Sequence, residues 1–270
     1  MLTVLATGPQ VLVQDRGRFG YAHLGVPRAG ALDGPAAALA NRLVGNDRDA
    51  AVLESLLGGL VVRTEVDRWV AVTGAAAPFP RATRLRAGDT LAIQALPTGM
   101  RSYLAVAGGI DVPPVLGSRS TDTLAGVGPK PVETGDVLPI GAAVGAPAAL
   151  DTPRPPARGP IRVLPGPHAD WFGPGVLARL AETAWIVAAA SDRVGLRLEG
   201  EAIPRTPGEL VSEGTVLGAI QVPPDGRPVI LLADHGPTGG YPVAGVVHPD
   251  DVWQLAQARP GESLTLRPAP

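Results

Sequence analysis

Glycine and proline are too frequent here for a helical protein: the 270 residues include 35 glycines and 30 prolines. Proline lacks the amide donor a helix needs, and glycine weakens helix interiors, so turns must be frequent and long helices few. That constraint favours an all-β architecture, either one large β domain or two of about 130 residues each. The hydrophobic fraction of 45% suffices for a buried core. A net charge of −2, with arginines dispersed along the chain, offers no basic field for a phosphate backbone, so nucleic acid is not expected as a partner. The absence of cysteine excludes disulfides, thiolate metal sites and cysteine nucleophiles. No apolar stretch is long enough to span a bilayer, and Met1–Gln14 alternates in polarity where a secretory leader would run apolar, so a cytoplasmic protein with no membrane partner is expected.

Short runs rich in Val, Leu and Ile between turn residues predict strands at Gln10–Gln14, Leu60–Thr64, Arg68–Thr73, Thr90–Gln94 and Ser102–Ala107. The second half repeats the style at Ile161–Leu164, Ala184–Ala188, Leu196–Glu199, Ala219–Val222, Val229–Ala233 and Ser263–Leu266. Three helices are expected. Pro35–Val44 would be capped by Asp33 and stopped at Gly45-Asn46, another begins near Pro249, and a weaker one lies between Pro174 and Glu182. A small pattern recurs at Ala87–Leu91, Thr134–Leu138 and Pro260–Leu264, each a tight glycine turn followed by an acidic residue and a strand. Gly145–Gly159, rich in Ala, Pro and Arg without periodicity, reads as a linker. It sets the expected domains at 1–155 and 156–270.

Familiar chemical motifs fail one by one. There is no Walker-type phosphate loop, no His-Glu-x-x-His and no Gly-x-Ser-x-Gly. Gly173–Ala178 matches a dinucleotide fingerprint but follows no convincing strand and reads as a helix start. His23, His168, His235 and His248 are too scattered for metal spacing, and no metal site is expected within the chain. Four polar runs embedded in glycine-rich sequence remain: Val13–Tyr21, Leu116–Asp122, Ser191–Gly200, and a fourth that joins Glu213-Gly214 and Gly218–Gly226 to Leu232–Pro242. Each has an architectural reading, since Asp–Arg pairs tie strands together and Ser and Thr satisfy turn backbones.

In order and spacing these runs resemble the family of the 5-oxoprolinase C subunit, also labelled biotin-dependent carboxyltransferase or allophanate hydrolase subunit 2. The likeness extends from Val13-Gln14-Asp15 through His23–Pro27 and Gly30–Asp33 to Ala40–Asn46, then Gly218–Gly226 and Thr238–Pro242. The sequence departs from the family pattern at Ala76, where many relatives carry an acidic residue, and at Asp234–Pro237, where an Arg-Gln-Thr form precedes the threonine. The resemblance implies a mainly β fold of two cyclophilin-like β-barrel domains with a few short helices. It implies an ATP-hydrolysing amidohydrolase that opens the cyclic amide 5-oxo-L-proline to L-glutamate; its partners are then a homologue of the B subunit and, further, the A subunit. ATP with Mg2+ is then the expected cofactor, bound in this chain or at the partner interface. Asp15, Arg16, Arg119, Asp122, Arg193, Asp234 and His235 are the expected catalytic group, with arginines to hold anionic oxygens and carboxylates or imidazole as bases. Ser118, Ser120, Arg197, Gln221, Thr238, Gly239, Gly240 and Tyr241 are the expected substrate contacts. Two alternatives stay open: carboxyl transfer between carboxybiotin and urea or a related amide, and a non-catalytic regulator that binds a B-subunit homologue.

Overall fold

The computed structural model describes residues 1–75, 77, 80–94, 98–147 and 157–270. The chain divides into two compact units, and the division is not a single cut. The first contains Met1–Arg18, Ala29–Asp122 and Gly126–Pro156; the second contains Phe19–Arg28, Thr123–Ala125 and Ala157–Pro270. Two short segments of the N-terminal half therefore belong to the second unit. The expected linker, with its boundary near 155, falls mostly on residues 148–156, outside the described ones.

The first unit is built from two antiparallel sheets. One has five strands in the order Gln10–Gln14, Val52–Leu56, Arg101–Val106, Arg68–Gly74, Ala82–Leu85; the other has four, in the order Thr90–Ala92, Val61–Thr64, Leu2–Ala6, Val137–Leu138. Their inner faces share one core that includes Leu2, Val4, Leu60 and Val62 from the smaller sheet and its borders, and Val11, Val13, Leu53, Leu104 and Val106 from the larger. The larger sheet's other face is covered by the helix Gly34–Leu43, whose Ala37, Ala40 and Leu43 meet Val52, Ala71, Tyr103 and Ala105. Alanines on both surfaces let the helix lie close. This is why all six residues of Arg101–Val106 are buried: alternate side chains enter the core and the helix interface. Asp33 caps the helix as expected, accepting from the Ala36 amide at 3.0 Å, with proline in the first turn.

The second unit is built around an eight-stranded sheet, in the order Ser263–Leu264, Trp185–Val187, Gly195–Glu199, Val229–Leu231, Ala219–Gln221, Val243–Val247, Ile161–Pro165, Leu266–Pro268. Its two edge strands are neighbouring stretches of the same chain segment. Thr265 between them accepts from the Ile161 amide at 2.8 Å, so the sheet closes almost completely on itself and avoids long unpaired edges. Trp185 is fully buried and donates its indole N–H to the Leu180 carbonyl at 2.8 Å, tying the helix Val176–Glu182 to the barrel. The mainly β reading with few short helices holds. No helix among the described residues is long and apolar enough to cross a membrane.

Several strands escaped the sequence reading, among them Leu2–Ala6, Val52–Leu56, Ala82–Leu85 and Val243–Val247. Val52–Leu56 carries Glu54 and Ser55 at buried positions, which hides its character, and Gly245 interrupts the apolar run of Val243–Val247.

The recurring glycine turn is a single structural module used three times. Gly88, Gly135 and Gly261 all sit at positive φ, at 88°, 97° and 83°. In each, the following acidic side chain accepts from the amide three residues earlier: Asp89 from Arg86, Asp136 from Glu133, Glu262 from Arg259. The glycine amide and the acidic residue's carbonyl then pair with one residue of a neighbouring strand, Thr64, Val4 and Val187 respectively. A Cβ on any of the three glycines would meet nothing within 4 Å, so the demand is on the backbone alone. Replacing any one with alanine is expected to cost about 1–2 kcal/mol, the left-handed penalty of an L-residue, with asparagine recovering part of it. Urea denaturation of the three variants checks this.

Candidate functional site

In the first unit the Val13–Arg18 part of the first polar run meets Leu116–Asp122 around Asp15. Its Oδ1 accepts from the Gly17 amide at 2.7 Å and from the Ser118 and Ser120 hydroxyls, each at 2.6 Å; its Oδ2 accepts from the Arg119 amide at 2.6 Å. Ser120 Oγ also receives the Asp15 amide, and Ser118 Oγ receives the Ser120 amide. Asp15, Ser118 and Ser120 thus form a closed knot that shapes both loops, and the carboxylate's lone pairs are largely taken by the chain itself. Arg119 is directed to the Val112 carbonyl at 2.6 Å and to Asp111 at 2.7 Å. Arg16 is exposed and paired with Asp49 at 3.1 Å. Asp122 is buried at the end of the second run. Arg18, absent from the expected site, is buried and donates to the Val115 and Ser120 carbonyls.

The second unit gathers most of the other expected residues. Asp234, fully buried, takes a two-pronged grip from Arg193, Nε to Oδ2 and Nη2 to Oδ1, both at 2.9 Å. Its Oδ2 also receives the Thr123 amide at 3.0 Å and hydroxyl at 2.7 Å. The fork matches guanidinium to carboxylate in the manner that makes arginine the choice for buried pairs. Beside it, His235 is buried, with Nδ1 2.7 Å from the Gly236 carbonyl and 3.1 Å from Thr215 Oγ1. Burial first, and then the nearby Arg28 guanidinium, disfavour the imidazolium and outweigh the Gly236 carbonyl and Asp234, so the His235 pKa lies below the ordinary histidine value. Thr238 and Gly239 pair as a small ribbon with Glu213 and Gly214. A Cβ on Gly239 would lie 2.7 Å from Gln221 Nε2, so the amide tip of that side chain rests close against the glycine. Gln221 Nε2 also reaches the Tyr241 carbonyl at 3.5 Å. Gly240 is half-buried, the Tyr241 ring is exposed, and Arg197 is exposed on its strand. His168, expected to be structural, accepts the Val243 amide at Nδ1 and sits 3.3 Å from Glu213 through Nε2.

The sequence reading missed three participants. Thr123 and Thr215 lie in short loops with nothing local to mark them. The third is a buried network in the first unit, where Glu54 Oε2 accepts from the Leu32 amide at 3.0 Å and the Tyr103 hydroxyl at 2.9 Å, while Arg101 approaches Oε1 at 3.5 Å. Tyr103 in turn receives the Asp33 amide at 2.7 Å, and its burial, with Glu54 and Asp33 nearby, pushes the phenol pKa well up. An isolated glutamate inside an apolar strand was the available signal. Ala76 lies outside the described residues. No group of three or more His, Asp or Glu among the described residues is placed to hold a metal ion.

The family model described as the carboxyltransferase domain, subdomain A and B, matches residues 24–268. The 5-oxoprolinase C subunit of Escherichia coli (strain K12) is 39% identical, with 98% of this chain and 90% of that protein covered. A urea amidolyase from Saccharomyces cerevisiae (strain ATCC 204508 / S288c) is 32% identical over 99% of this chain but only 16% of its own length. Among solved structures, TTHA0988 superposes with a TM-score of 0.87 at 40% identity over all of this chain, which spans 55% of that one. The Kluyveromyces lactis urea carboxylase superposes with a TM-score of 0.88 at 30% identity, and this chain spans 27% of it.

The Arg193–Asp234 pair is expected to dominate stability around the site. Asp234→Asn removes the carboxylate charge from this buried pair and is expected to cost about 3–5 kcal/mol, whereas Arg16→Ala, breaking an exposed pair, should stay within about 1 kcal/mol. Chemical denaturation of the two variants side by side reads the contrast.

Proposed function

Because the chain belongs to the carboxyltransferase-domain family, we propose that it is the C subunit of an ATP-dependent 5-oxoprolinase, opening 5-oxo-L-proline to L-glutamate in the cytoplasm with a B-subunit homologue. The observation that carries this reading is coverage: the chain matches 90% of the length of two 5-oxoprolinase C subunits, against 16–17% of the urea amidolyases. A lactam carbonyl resists attack by water. Transfer of the terminal phosphoryl group of ATP to its oxygen, with ADP leaving, converts that oxygen into part of a leaving group and makes the carbon electrophilic.

In this reading the geometry supports a division of labour. Arg193, Asp234 and Thr123 fix the backbone from which His235 projects, and Asp15 with Ser118 and Ser120 fixes the loops of the other unit. Arg119 lies at the surface of those loops. Gly239 and Gly240, beside Gln221, offer a backbone that a small substrate can approach closely. Mg2+ arriving with ATP would neutralise phosphate charge.

Carboxyl transfer is the second reading, supported by the likeness to the solved urea carboxylase. The chain has one lysine, Lys130, in the run Gly-Pro-Lys-Pro, so biotin in that reading would come on another protein. The test mixes purified chain with its B-subunit homologue and the A subunit, then follows glutamate and phosphate release from 5-oxoproline and ATP, with urea and biotin as competing substrates. ATP-dependent glutamate release, absent when this chain is omitted, is the expected result. Turnover of urea with biotin alone moves the chain to the second reading, and a tight complex with no turnover makes it a regulator.

A further inference from the structure

Among the acid–base candidates, the carboxylates at the centre of the two loop clusters are committed inward. Asp15 accepts four hydrogen bonds and Asp234 accepts four, all from the chain's own donors. His235 differs. A carbonyl oxygen can only accept, so the 2.7 Å contact with Gly236 puts the hydrogen of the neutral ring on Nδ1. Thr215 donates its own hydroxyl hydrogen to the same Gly236 carbonyl, which turns an oxygen lone pair towards Nδ1–H 3.1 Å away. The ring is thereby locked in one tautomer, with the lone pair at Nε2. Nε2 makes no hydrogen bond among the described residues and is not among their solvent-sealed polar atoms.

We infer that His235 determines specificity by presenting Nε2 as a hydrogen-bond acceptor for the N–H of an amide or lactam substrate, with Thr215 as the residue that positions it. The inference deepens the proposed function and rests on it for the identity of the lactam. The charged groups bearing on the imidazole are Arg28, from the segment Phe19–Arg28, and Asp234, already gripped by Arg193. Burial and Arg28 outweigh Asp234 and the Gly236 carbonyl and favour the neutral ring, which offers an acceptor where an imidazolium would offer only donors. A site of this kind selects for a substrate N–H and against an N-alkylated analogue, because methylation leaves a half-buried acceptor unsatisfied and adds a steric conflict.

The experiment compares two inhibitors, 2-pyrrolidone and N-methyl-2-pyrrolidone, against 5-oxoproline turnover by the chain assembled with its B-subunit homologue, and measures their binding to the same assembly by calorimetry. The wild type is expected to prefer the N–H lactam by roughly 10-fold or more, consistent with one hydrogen bond in a partly desolvated site. His235→Ala should bring that ratio towards one and raise KM for 5-oxoproline more than it lowers kcat. Thr215→Val should lose part of the preference, and Thr215→Ser should restore it, which separates positioning from packing. KM in the wild type is expected to rise as pH falls through a midpoint below 6.5, the ordinary histidine value, and to lose this dependence in His235→Ala. A folded His235→Ala assembly that keeps the N–H preference and the pH dependence overturns the inference while leaving the proposed function standing. N–H selectivity that depends on His235, with no ATP-dependent glutamate release, overturns the 5-oxoprolinase reading and retains the amide-selective subsite.

Discussion

A carboxylate with no solvent exposure is tolerable only when every lone pair has a donor, and Asp234 shows how this chain meets that demand. Its partners come from distant sequence: Arg193 supplies the fork and Thr123 an amide and a hydroxyl. The same contacts that neutralise the charge hold Thr123–Ala125, a segment of the N-terminal half, within the second unit. Through the backbone they also fix His235, one residue on. The orientation of the imidazole is therefore a consequence of the burial of its neighbour.

The pattern generalises. A chain rich in glycine and proline leaves much of its backbone outside ladders and helices, and those amides need acceptors. Here Asp and Glu side chains provide them repeatedly: Asp15 for Gly17 and Arg119, Glu54 for Leu32, Asp67 for Ala87, Asp192 for Val194 and Gly195, Asp251 for Arg162. The three glycine turns use the same chemistry. An acidic residue inside a glycine-rich run is thus as much an architectural signal as a chemical one in this protein.

Much of the fold was legible because the strands alternate and the turn residues are chemically distinctive. Gln10–Gln14 has the bounds the sequence predicts, the helix Gly34–Leu43 begins at the expected cap, and the three glycine turns are alike in structure as they are in sequence. Val52–Leu56 was hidden because Glu54 is satisfied by partners far away, Leu32 and Tyr103, that no local pattern announces. Of the candidate site, residue types and runs were legible, but the allocation of partners was not: nothing near Asp15 in sequence distinguishes a carboxylate that knots two loops from one that faces a ligand.

By itself the sequence determined what is local or cumulative: a mainly β chain, its caps and turns, the absence of thiol chemistry, and a likeness to one family along most of its length. Those follow from backbone preferences and side-chain chemistry that act over a few residues. Tertiary structure alone decided which ionisable groups are used up inside the protein, which segments of the first half serve the second unit, and which nitrogen of His235 carries its hydrogen. Each of these depends on donors and acceptors tens to more than a hundred residues apart, or on the distance from one ring nitrogen to a carbonyl, and a hydrogen bond's strength falls off too steeply with distance and angle for spacing along the chain to fix it.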